Sequence, residues 1–462
     1  MLSRQLNKLN QVVKPNGTVF FGWYIVGAAG GIQMLSGLLW MQSYGAYVVL
    51  LQEEFGWSKA LVAGAFALTR IESGILGPLQ GWLVDRFGPR PILRIGITIF
   101  GLGFIAFSYV DSILSFYLTF ALIAIGSSLG GFATVMVSLV NWFSQHRAKA
   151  ISISQMGYSI GGLCVPAVVI CLEAFGWRTT AMISGVVVLV VGLPLVQVVR
   201  HRPAETGDFV DGIAPERAPV RAPGESGATA DENTAAFSLP LNNDFTAREA
   251  MRTHSFWFIS IGHACALLTV SAIMVHLVPH LIEAKGYTLT EAGGVVALLT
   301  GFQMVGQLCG GYLGDKVNKR LICIGCMFAH TAGLVLIAYA DSAVIVFLFA
   351  MLHGLAWGIR GPLMVALRAD YFGPSSFGTI MGFSSLIVML GMSGGPIFAG
   401  YMADLQGNYE LGFVCLALAA FLGSFCFLAA TPPQSKLNRP HIVSHKCCLL
   451  YTSDAADEED SV

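Results

Sequence analysis

Charged side chains are scarce in this 462-residue sequence. Asp, Glu, Lys and Arg make up 11% of its residues, less than half of the roughly 25% found in soluble domains. Hydrophobic residues account for 55%, and the mean hydropathy is +0.68. The formal net charge is −1 and no basic face is visible, which argues against a nucleic-acid partner. The composition therefore predicts an integral membrane protein that is surrounded by a lipid bilayer.

Signatures of enzymes and cofactor-binding proteins are also missing. The sequence has no nucleotide-binding loop, no metal-ligand cluster at a plausible spacing and no nucleophile–base constellation. Cys323 and Cys326 form a CxxC pair, but it lies in an apolar helix without a second CxxC, so we assign it no redox or zinc role. We expect no enzymatic activity, no metal and no cofactor.

Twelve apolar segments are long enough to cross a bilayer as helices. A helix needs about 20 mostly apolar residues to span the hydrocarbon core, and these runs are too long and continuous for barrel strands. We predict an all-α integral membrane fold with twelve transmembrane helices. The predicted spans, numbered 1 to 12, are approximately 21–51, 60–82, 91–110, 113–140, 148–174, 178–199, 255–280, 289–313, 321–340, 343–369, 375–402 and 409–430.

The distribution of basic residues predicts the orientation of these spans. Both termini and the connections after even-numbered spans hold 21 of the 26 Lys and Arg residues, whereas the opposite side holds Lys59, Arg178 and Lys285. Arg70 and Arg360 lie inside spans. Cytoplasmic loops carry the excess of Lys and Arg in membrane proteins. We therefore expect both termini to be cytoplasmic.

The spans divide the chain into two bundles joined by a linker. We predict an N-terminal six-helix bundle at 15–200, a cytoplasmic linker at 201–250, a C-terminal six-helix bundle at 251–433 and a tail at 434–462. The linker is rich in Pro, Ala, Gly and Glu between 203 and 243, which predicts disorder.

Two shorter stretches have predictions of their own. Residues 245–252 favour a short interfacial helix before span 7. Residues 448–462 resemble a translated sequencing adapter and are excluded from the functional interpretation; the alternative is a genuine acidic tail.

The two halves of the sequence resemble each other at a constant offset. Because one repeat contains six spans, both copies have the same orientation, and they should be related by an axis along the membrane normal. The matching segments are 55–58 with 285–288 and 81–86 with 311–316, both at an offset of 230, and 141–143 with 370–372 at 229.

The connection after span 2 carries a recognisable motif. Residues 81–90, GWLVDRFGPR, resemble the loop signature of the major facilitator superfamily. This resemblance implies two bundles that rock around a central site. Glycines in the motif allow close helix contact, and its Asp and Arg can pair or cap helix ends, forming a latch that breaks during gating. The predicted latch residues are Gly81, Asp85, Arg86, Gly88 and Arg90, with Gly311 and Asp315 in the second half.

Within that superfamily the sequence is most similar to bacterial monocarboxylate-transporter-like proteins. The similarity lies in segments 21–24, 54–58, 147–150, 175–178 and 276–280. It implies a carrier in the cell membrane of a bacterium, commonly for small organic anions with proton coupling. The family often has an arginine four residues before the glycine of the second loop motif, where this sequence has Gln307. The usual carboxylate anchor is therefore missing.

Ionisable residues inside the spans are the primary site candidates, because a charge at the bilayer centre costs about 2.5–3.5 kcal/mol. Arg70 and Glu72 lie near the middle of span 2, and Glu72 is the expected proton carrier. Arg360 lies about 15 Å deep in span 10 and is the expected replacement anchor for a substrate carboxylate, with a salt bridge to Glu72 as the alternative. His353 lies on the same face of that helix and offers a hydrogen bond or a proton site.

Uncharged polar residues complete the predicted site. The repeat offset aligns Gln33 in span 1 with His263 in span 7, and Gln303 and Gln307 share one face of span 8. Tyr44 adds a hydroxyl group to the list of substrate-binding candidates.

Three functions remain open from the sequence. The leading one is a secondary active transporter that moves a small organic anion together with protons by alternating access, as a monomer. The second is an anion exchanger similar to oxalate/formate antiporters, and the third is a non-transporting membrane receptor or an efflux carrier of apolar compounds.

Overall fold

The computed structural model describes residues 13–14, 17, 19–57, 59–214 and 244–433. In the first part of span 2, the helical backbone is described but several side chains are not, and that of Arg70 is among them. The structure is helical within these ranges and contains no β-strand there. The predicted all-α fold is confirmed.

The N-terminal half contains helices α1 to α6. Helix α1 comprises Phe21–Ser36, a π-helical turn at Gly37–Met41 and Tyr44–Phe55; α2 is Lys59–Phe87 and α3 is Pro89–Phe107. Helix α4 comprises Ile113–Leu129 and Phe132–Trp142. Helix α5 comprises Arg147–Leu163 and 165–175; α6 comprises 177–187, a π-helical turn at Val188–Gly192 and Leu193–Val198.

Gly176 separates α5 from α6. Its φ of 75° and ψ of 165° interrupt the helical backbone between Val165 and Val187. Glycine adopts positive φ without the steric cost that other residues incur. The chain therefore turns back across the bundle at this position, where the sequence predicted the boundary between spans 5 and 6.

The C-terminal half contains six further helices. They are α7 His254–Lys285, α8 Leu289–Gly314, α9 Lys319–Ala338, α10 Ala343–Phe372, α11 Phe377–Gln406 and α12 Glu410–Ala429. Each predicted span from 7 to 12 coincides with one of these helices.

Length and hydropathy identify ten membrane-spanning candidates among the described residues. One of them, Arg147–Val198, covers both α5 and α6. Helix α2 has 29 residues, which is also long enough to cross the hydrocarbon core. Large apolar side chains such as Leu118, Ile170 and Ile397 are more than 60% exposed, as expected of a surface that faces lipid.

The two halves meet mainly along two helix pairs, α2 with α11 and α5 with α8. The helix ends that meet here lie on the same side of the protein as the connections after even-numbered helices. We call this side the termini side. Glycines permit this contact: a Cβ at Gly77 would lie 3.1 Å from the carbonyl oxygen of Gly382. Such small-residue contacts let membrane helices approach closely.

Both described ends of the linker are folded onto the bundles. Residues 203–214 contain two 3₁₀ turns, Pro203–Thr206 and Val210–Gly212. The prediction of disorder is therefore wrong for 203–214, because the Asp211 carboxylate accepts hydrogen bonds from backbone N–H groups of the turn between α4 and α5 and holds this stretch there. A short helix, Ala247–Met251, lies where the sequence predicted one, and Thr246 caps it. Residues 215–243 and the tail from 434 lie outside the described residues.

Candidate transport site

A central cavity of about 480 Å³ lies between the two halves. Helices α1, α2, α4 and α5 line it from one half, and α8, α10 and α11 line it from the other. Its volume falls within the roughly 300–1,000 Å³ of small-molecule sites. The side chains that line it, within the described part of the chain, carry no formal charge.

Glutamine amides provide much of the polar lining. Gln33, Gln303 and Gln307 all line the cavity, as the sequence predicted, and they are joined by Gln80 and Gln155. An amide group offers both two donors and an acceptor. Such a lining can receive a carboxylate through N–H groups without itself carrying charge.

Two of these amides are held by hydroxyl groups of α5. Gln33 Nε2 donates to Ser154 Oγ at 3.3 Å, and Ser159 Oγ donates to Gln307 Oε1 at 3.2 Å. This bond uses the Gln307 oxygen and leaves its NH₂ group to donate to other acceptors. Gln155 Nε2 is buried without a hydrogen-bond partner among the described residues, so a donor is available on this wall.

The remaining lining is largely apolar. Trp40, Phe132, Trp357, Met389 and Met392 contribute aromatic and thioether surfaces. Apolar walls with a few convergent polar groups are typical of small-molecule sites. The cavity therefore suits a ligand that has an apolar body and one polar end.

Arg360 is not among the residues that line the cavity. Its side chain is 1% exposed and lies near Cys323 and Cys326 of α9. Its Nε and Nη1 atoms have no hydrogen-bond partner, and no ion pair joins it to Glu72 among the described residues. The alternative of an Arg360–Glu72 salt bridge is thus not realised in this conformation.

His353 also points away from the cavity. It is fully buried, and its Nδ1 lies 3.1 Å from Nδ1 of His330 in α9. One ring must donate this hydrogen bond and the other accept it, so the two rings cannot both carry a proton on Nδ1. The sequence did not predict His330, because a lone histidine in an apolar helix gives no sign of a partner on another helix.

A second buried arginine, Arg368, was missed from the sequence. It is 2% exposed, and its Nη2 donates to Ser384 Oγ at 2.8 Å and contacts His263 Nδ1 at 3.0 Å. Ser384 in turn contacts Ser260 at 2.8 Å. His263 therefore belongs to a network inside the C-terminal bundle. Arg368 lies two residues before Asp370, and the positive-inside count assigned it to a loop.

The repeat offset would have indicated this network. Gln33 contacts Ser154 in the first half, and adding 230 gives His263 and Ser384, which both contact Arg368 in the second half. The two halves thus place polar side chains at equivalent positions of α1 with α5 and α7 with α11.

Two further predicted residues lie outside the cavity. The carboxylate of Glu72 accepts a hydrogen bond from Ser73 Oγ at 3.1 Å, and its Oε1 is buried without a partner among the described residues. The ring of Tyr44 packs 5.1 Å from that of Phe120. The backbone of Arg70 lies in α2, and its side chain is outside the described part.

The predicted latch closes the termini side. The Asp85 carboxylate at the end of α2 accepts hydrogen bonds from the backbone N–H groups of Gly378 and Thr379, at 2.8 and 2.7 Å. These N–H groups belong to the first turn of α11, where orphan donors and the helix dipole favour a carboxylate. Asp85 thereby joins the two halves.

The second copy of the motif makes the equivalent contact. Asp315 after α8 accepts hydrogen bonds from the N–H groups of Ala148 and Lys149 in α5, at 2.8 and 3.3 Å. Every member of this contact lies 230 residues from its counterpart in the Asp85 contact. Gly311 supports it, since a Cβ there would lie 2.8 Å from Ser152.

Ion pairs add to this closure. Asp370 at the end of α10 pairs with Arg147 at the start of α5, and with Lys319 Nζ at 2.7 Å. Arg147 is largely buried and also donates to the carbonyl of Phe143 at 2.9 Å. A buried, oriented arginine gives this pair more weight than a solvated surface pair.

The remaining latch residues act within the N-terminal half. Arg86 lies 6.0 Å from the Trp82 ring and forms no ion pair with Asp85. Gly88 has a φ of 81° and makes the turn into α3. Arg90 Nη2 donates to the carbonyl of Gln197 in α6 at 3.0 Å. The sequence predicted that the Asp and Arg of the motif either pair with each other or cap helix ends. Asp85 caps a helix, and no Asp85–Arg86 pair forms.

The Asp315 contact should respond to pH. Burial raises the pKa of Asp315 to about 6, against the opposing effects of the Ala148 and Lys149 N–H groups and the Lys149 ammonium. On opening, water would return this pKa to about 3.9. The closed state then binds the proton more tightly, so lowering the pH from 7 to 5 should favour closure by about tenfold.

Energy transfer between dyes on the exposed positions Phe87 and Val317, one in each half, measures this equilibrium. The Asp315→Asn variant should lose the part of the pH response that Asp315 contributes, while Asp85, whose pKa burial also raises, retains its own part. An identical pH response in that variant would show that another group is responsible.

The fold and the site together define a membrane carrier: two helical bundles enclose a cavity that is closed on one side by contacts between the halves. The chain matches the sequence profile described as Major Facilitator Superfamily over residues 29–359 and 259–446. It belongs to this superfamily of membrane transporters, as the loop motif indicated.

Several relatives cover nearly the whole chain. The benzoate transport protein of Acinetobacter baylyi is 24% identical over 445 residues, which are 91% of this chain and 92% of that protein. Human monocarboxylate transporter 11 is 25% identical over 419 residues, 88% of this chain and 82% of that protein. A probable sulfoacetate transporter of Cupriavidus necator is 24% identical over 409 residues, 83% of this chain and 88% of that protein.

Solved structures share the fold. The human organic anion transporter MFSD10 superposes with a TM-score of 0.66 at 14% identity, covering 88% of this chain and 99% of that one. The proton:xylose symporter XylE also gives 0.66, at 17% identity, with 89% and 96% covered.

Proposed function

We propose that this protein is a secondary active transporter of a small organic anion with an apolar body, which binds in the central cavity. Alternating access carries the anion across the membrane. The predicted orientation makes the termini side cytoplasmic, so the conformation described above is closed toward the cytoplasm. The membrane is the cell membrane of a bacterium.

The proposal rests mainly on positive charge that is buried in one of the two bundles enclosing the uncharged cavity. Arg360 and Arg368 are both buried in the C-terminal bundle without a carboxylate partner among the described residues. Unpaired charge in a low-dielectric interior acts over several ångströms. This positive potential favours an anion over a cation or a neutral ligand.

The cavity itself supports a carboxylate with an aromatic or aliphatic body. Trp40 and Trp357 supply apolar area, while the amide N–H groups of Gln155 and Gln307 are available to carboxylate oxygens. Relatives whose names state benzoate, monocarboxylate or sulfoacetate transport point the same way. In this arrangement Gln307 contributes hydrogen bonds and the buried arginines contribute the charge.

Uptake by the purified protein in liposomes tests this function. Labelled benzoate, lactate, sulfoacetate, a hexose and an amine are offered with and without a pH gradient. We expect saturable uptake of one or more of the acids. Saturable uptake of the hexose or the amine, with none of the acids, would refute the anion assignment.

Glu72 remains the proposed proton carrier. Its Oε1 is buried without a partner in the part of the chain that the structure describes, so a proton can be added there without breaking any of the contacts described. Glu72→Gln should abolish accumulation driven by a pH gradient, a loss of about tenfold or more, while exchange of labelled for unlabelled anion continues. Full gradient-driven accumulation by Glu72→Gln would assign the proton to another group, with His353 as the next candidate.

Anion exchange is the second candidate function. Two buried arginines are able to stabilise either of two exchanging anions, and a proton is then not required. An exchanger takes up label only when the liposomes are preloaded with an anion, and it ignores the pH gradient. The uptake panel, repeated with liposomes that are preloaded with unlabelled anion, distinguishes the two mechanisms.

A further inference from the structure

Four carboxylates hold two helix N-termini on the termini side. Asp85 and Asp315 come from the motif loops, and each caps a helix of the opposite half. The other two, Asp211 and Asp244, come from the two described ends of the linker. The chain therefore attaches its linker to the same turns that the latch uses.

The Asp211 carboxylate accepts more hydrogen bonds than the Asp244 carboxylate does. Its Oδ2 accepts hydrogen bonds from the N–H groups of Ser144 and Gln145 at 3.0 and 2.8 Å, and Oδ1 accepts one from His146 at 3.3 Å. Asp211 is 6% exposed. Three backbone donors and burial fix the turn that leads directly into α5.

The backbone of Asp211 is unusual as well. Its φ of 57° is the only positive value among described non-glycine residues. Left-handed backbone is uncommon outside glycine, and residues held there cost of order 1–3 kcal/mol. Such a conformation persists when its surroundings impose it. At Asp211, the hydrogen bonds from the three N–H donors of the α4–α5 turn impose the left-handed backbone.

Asp244 makes the matching contact in the second half. Its Oδ1 accepts a hydrogen bond from the Ser375 N–H at 3.1 Å, and the Ser375 hydroxyl donates to Oδ2. Ser375 lies 230 residues after Gln145, so the two linker ends bind equivalent positions of the repeat. The Phe245 N–H also donates to the carbonyl of Phe372 at 3.0 Å.

These turns adjoin the groups that close the gap between the halves. Arg147, which pairs with Asp370, follows His146 directly, and Ala148 and Lys149 bind Asp315. A shift of residues 144–146 therefore moves Arg147 and both N–H donors. On the other side, Gly378 and Thr379 follow Ser375 within one turn.

We propose that Asp211 and Asp244 are positioning residues of the gate: they hold the first turns of α5 and α11 in the geometry that the latch carboxylates and the Arg147–Asp370 pair require. The linker is thus part of the gating mechanism as well as a tether between the bundles. Losing either contact favours opening of the termini side.

Hydrogen exchange measured by mass spectrometry on the intact protein tests this proposal without any substrate. In Asp211→Asn, Asn tolerates the left-handed backbone while the charge and one strong acceptor are lost. We expect exchange to accelerate about threefold or more at 144–149 and also at 378–379, because opening of the latch frees both helix starts. Asp244→Asn should produce the same paired response.

Asp208→Asn is the matched control, because Asp208 lies in the same segment and, among the described residues, accepts a hydrogen bond only from the nearby Thr206 hydroxyl, at 3.1 Å. It should leave exchange at both sites unchanged. Faster exchange confined to 203–214 and 144–146 in Asp211→Asn, with 378–379 unaffected, would overturn the proposal in favour of local undocking.

Transport supplies a second readout. A positioning residue on the termini side should change the maximal rate of uptake, about threefold to tenfold, and leave KM unchanged because the cavity is intact. A raised KM with an unchanged maximal rate would contradict the gate assignment. Since the exchange experiment uses no substrate, an error in the proposed substrate class does not affect it.

Discussion

Replacing Gly81 by Ala should abolish most transport. A Cβ at this position would lie 2.0 Å from the carbonyl oxygen of Gly378 and 2.7 Å from the Thr379 nitrogen. Both are backbone atoms that cannot rotate away, so α2 and α11 must separate by about 1 Å to relieve the clash. The hydrogen bonds of Asp85 to the same two residues then break, at about 1.5–3 kcal/mol each for a charged acceptor.

The closed state is therefore destabilised by several kcal/mol, and uptake should fall by at least about tenfold. Hydrogen exchange at 378–379 should rise in parallel, because these amides lose their acceptor. Gly394→Ala is the matched control: it lies in α11, and no atom of the described residues approaches its Cβ position within 4 Å. Normal uptake by Gly81→Ala would mean that this contact is not needed in the transport cycle.

Replacing Arg360 by Gln should lower uptake of organic anions by about 10- to 100-fold, because the positive potential beside the cavity is lost. The same change should raise the thermal unfolding temperature. A buried guanidinium without a carboxylate partner carries a desolvation penalty of several kcal/mol, and Gln removes it. A variant that is more stable and less active indicates a functional charge and not a structural one.

Arg360→Lys separates charge from shape. Since the guanidinium lies outside the cavity lining, we expect Lys to retain uptake within about threefold. A loss as large as with Gln would instead indicate that Arg360 grips the carboxylate in another conformation. Arg248→Gln, at an exposed position of the linker, is the control for removing one positive charge. Unchanged uptake by Arg360→Gln would remove this residue from anion binding.

Much of the fold was predictable because it depends on two patterns that are visible in the sequence, the hydropathy and the internal repeat. Hydropathy located the twelve spans, and the offset of 230 related Asp85 to Asp315 before their contacts were known. The latch contacts themselves were only partly predictable. A cap on a distant helix depends on how α2 meets α11, and the motif alone does not say whether Arg86 pairs with Asp85.

The residues of the site were harder to predict, because the direction of each side chain decides whether it lines the cavity. Arg360 and Trp357 are one helical turn apart, yet Trp357 lines the cavity and Arg360 packs toward α9. Depth in the membrane does not distinguish these two directions. Gln33, Gln303 and Gln307 were found because polar residues repeated at equivalent positions or at helical spacing, whereas Arg368 was hidden by its proximity to a predicted loop.

The acceptors and donors of the latch have unequal tolerance to substitution. Asp85 and Asp315 must each be a particular side chain, but most of their partners are main-chain N–H groups at the start of α11 and α5. Any residue except proline supplies that donor. The donor at Lys149 therefore survives most substitutions after a duplication, whereas Gly378 is limited by space, because a Cβ there would lie 2.7 Å from Asp85 Oδ1 and 2.8 Å from the carbonyl oxygen of Gly81. The two copies of the lock thus allow unequal divergence of the helix starts that they hold.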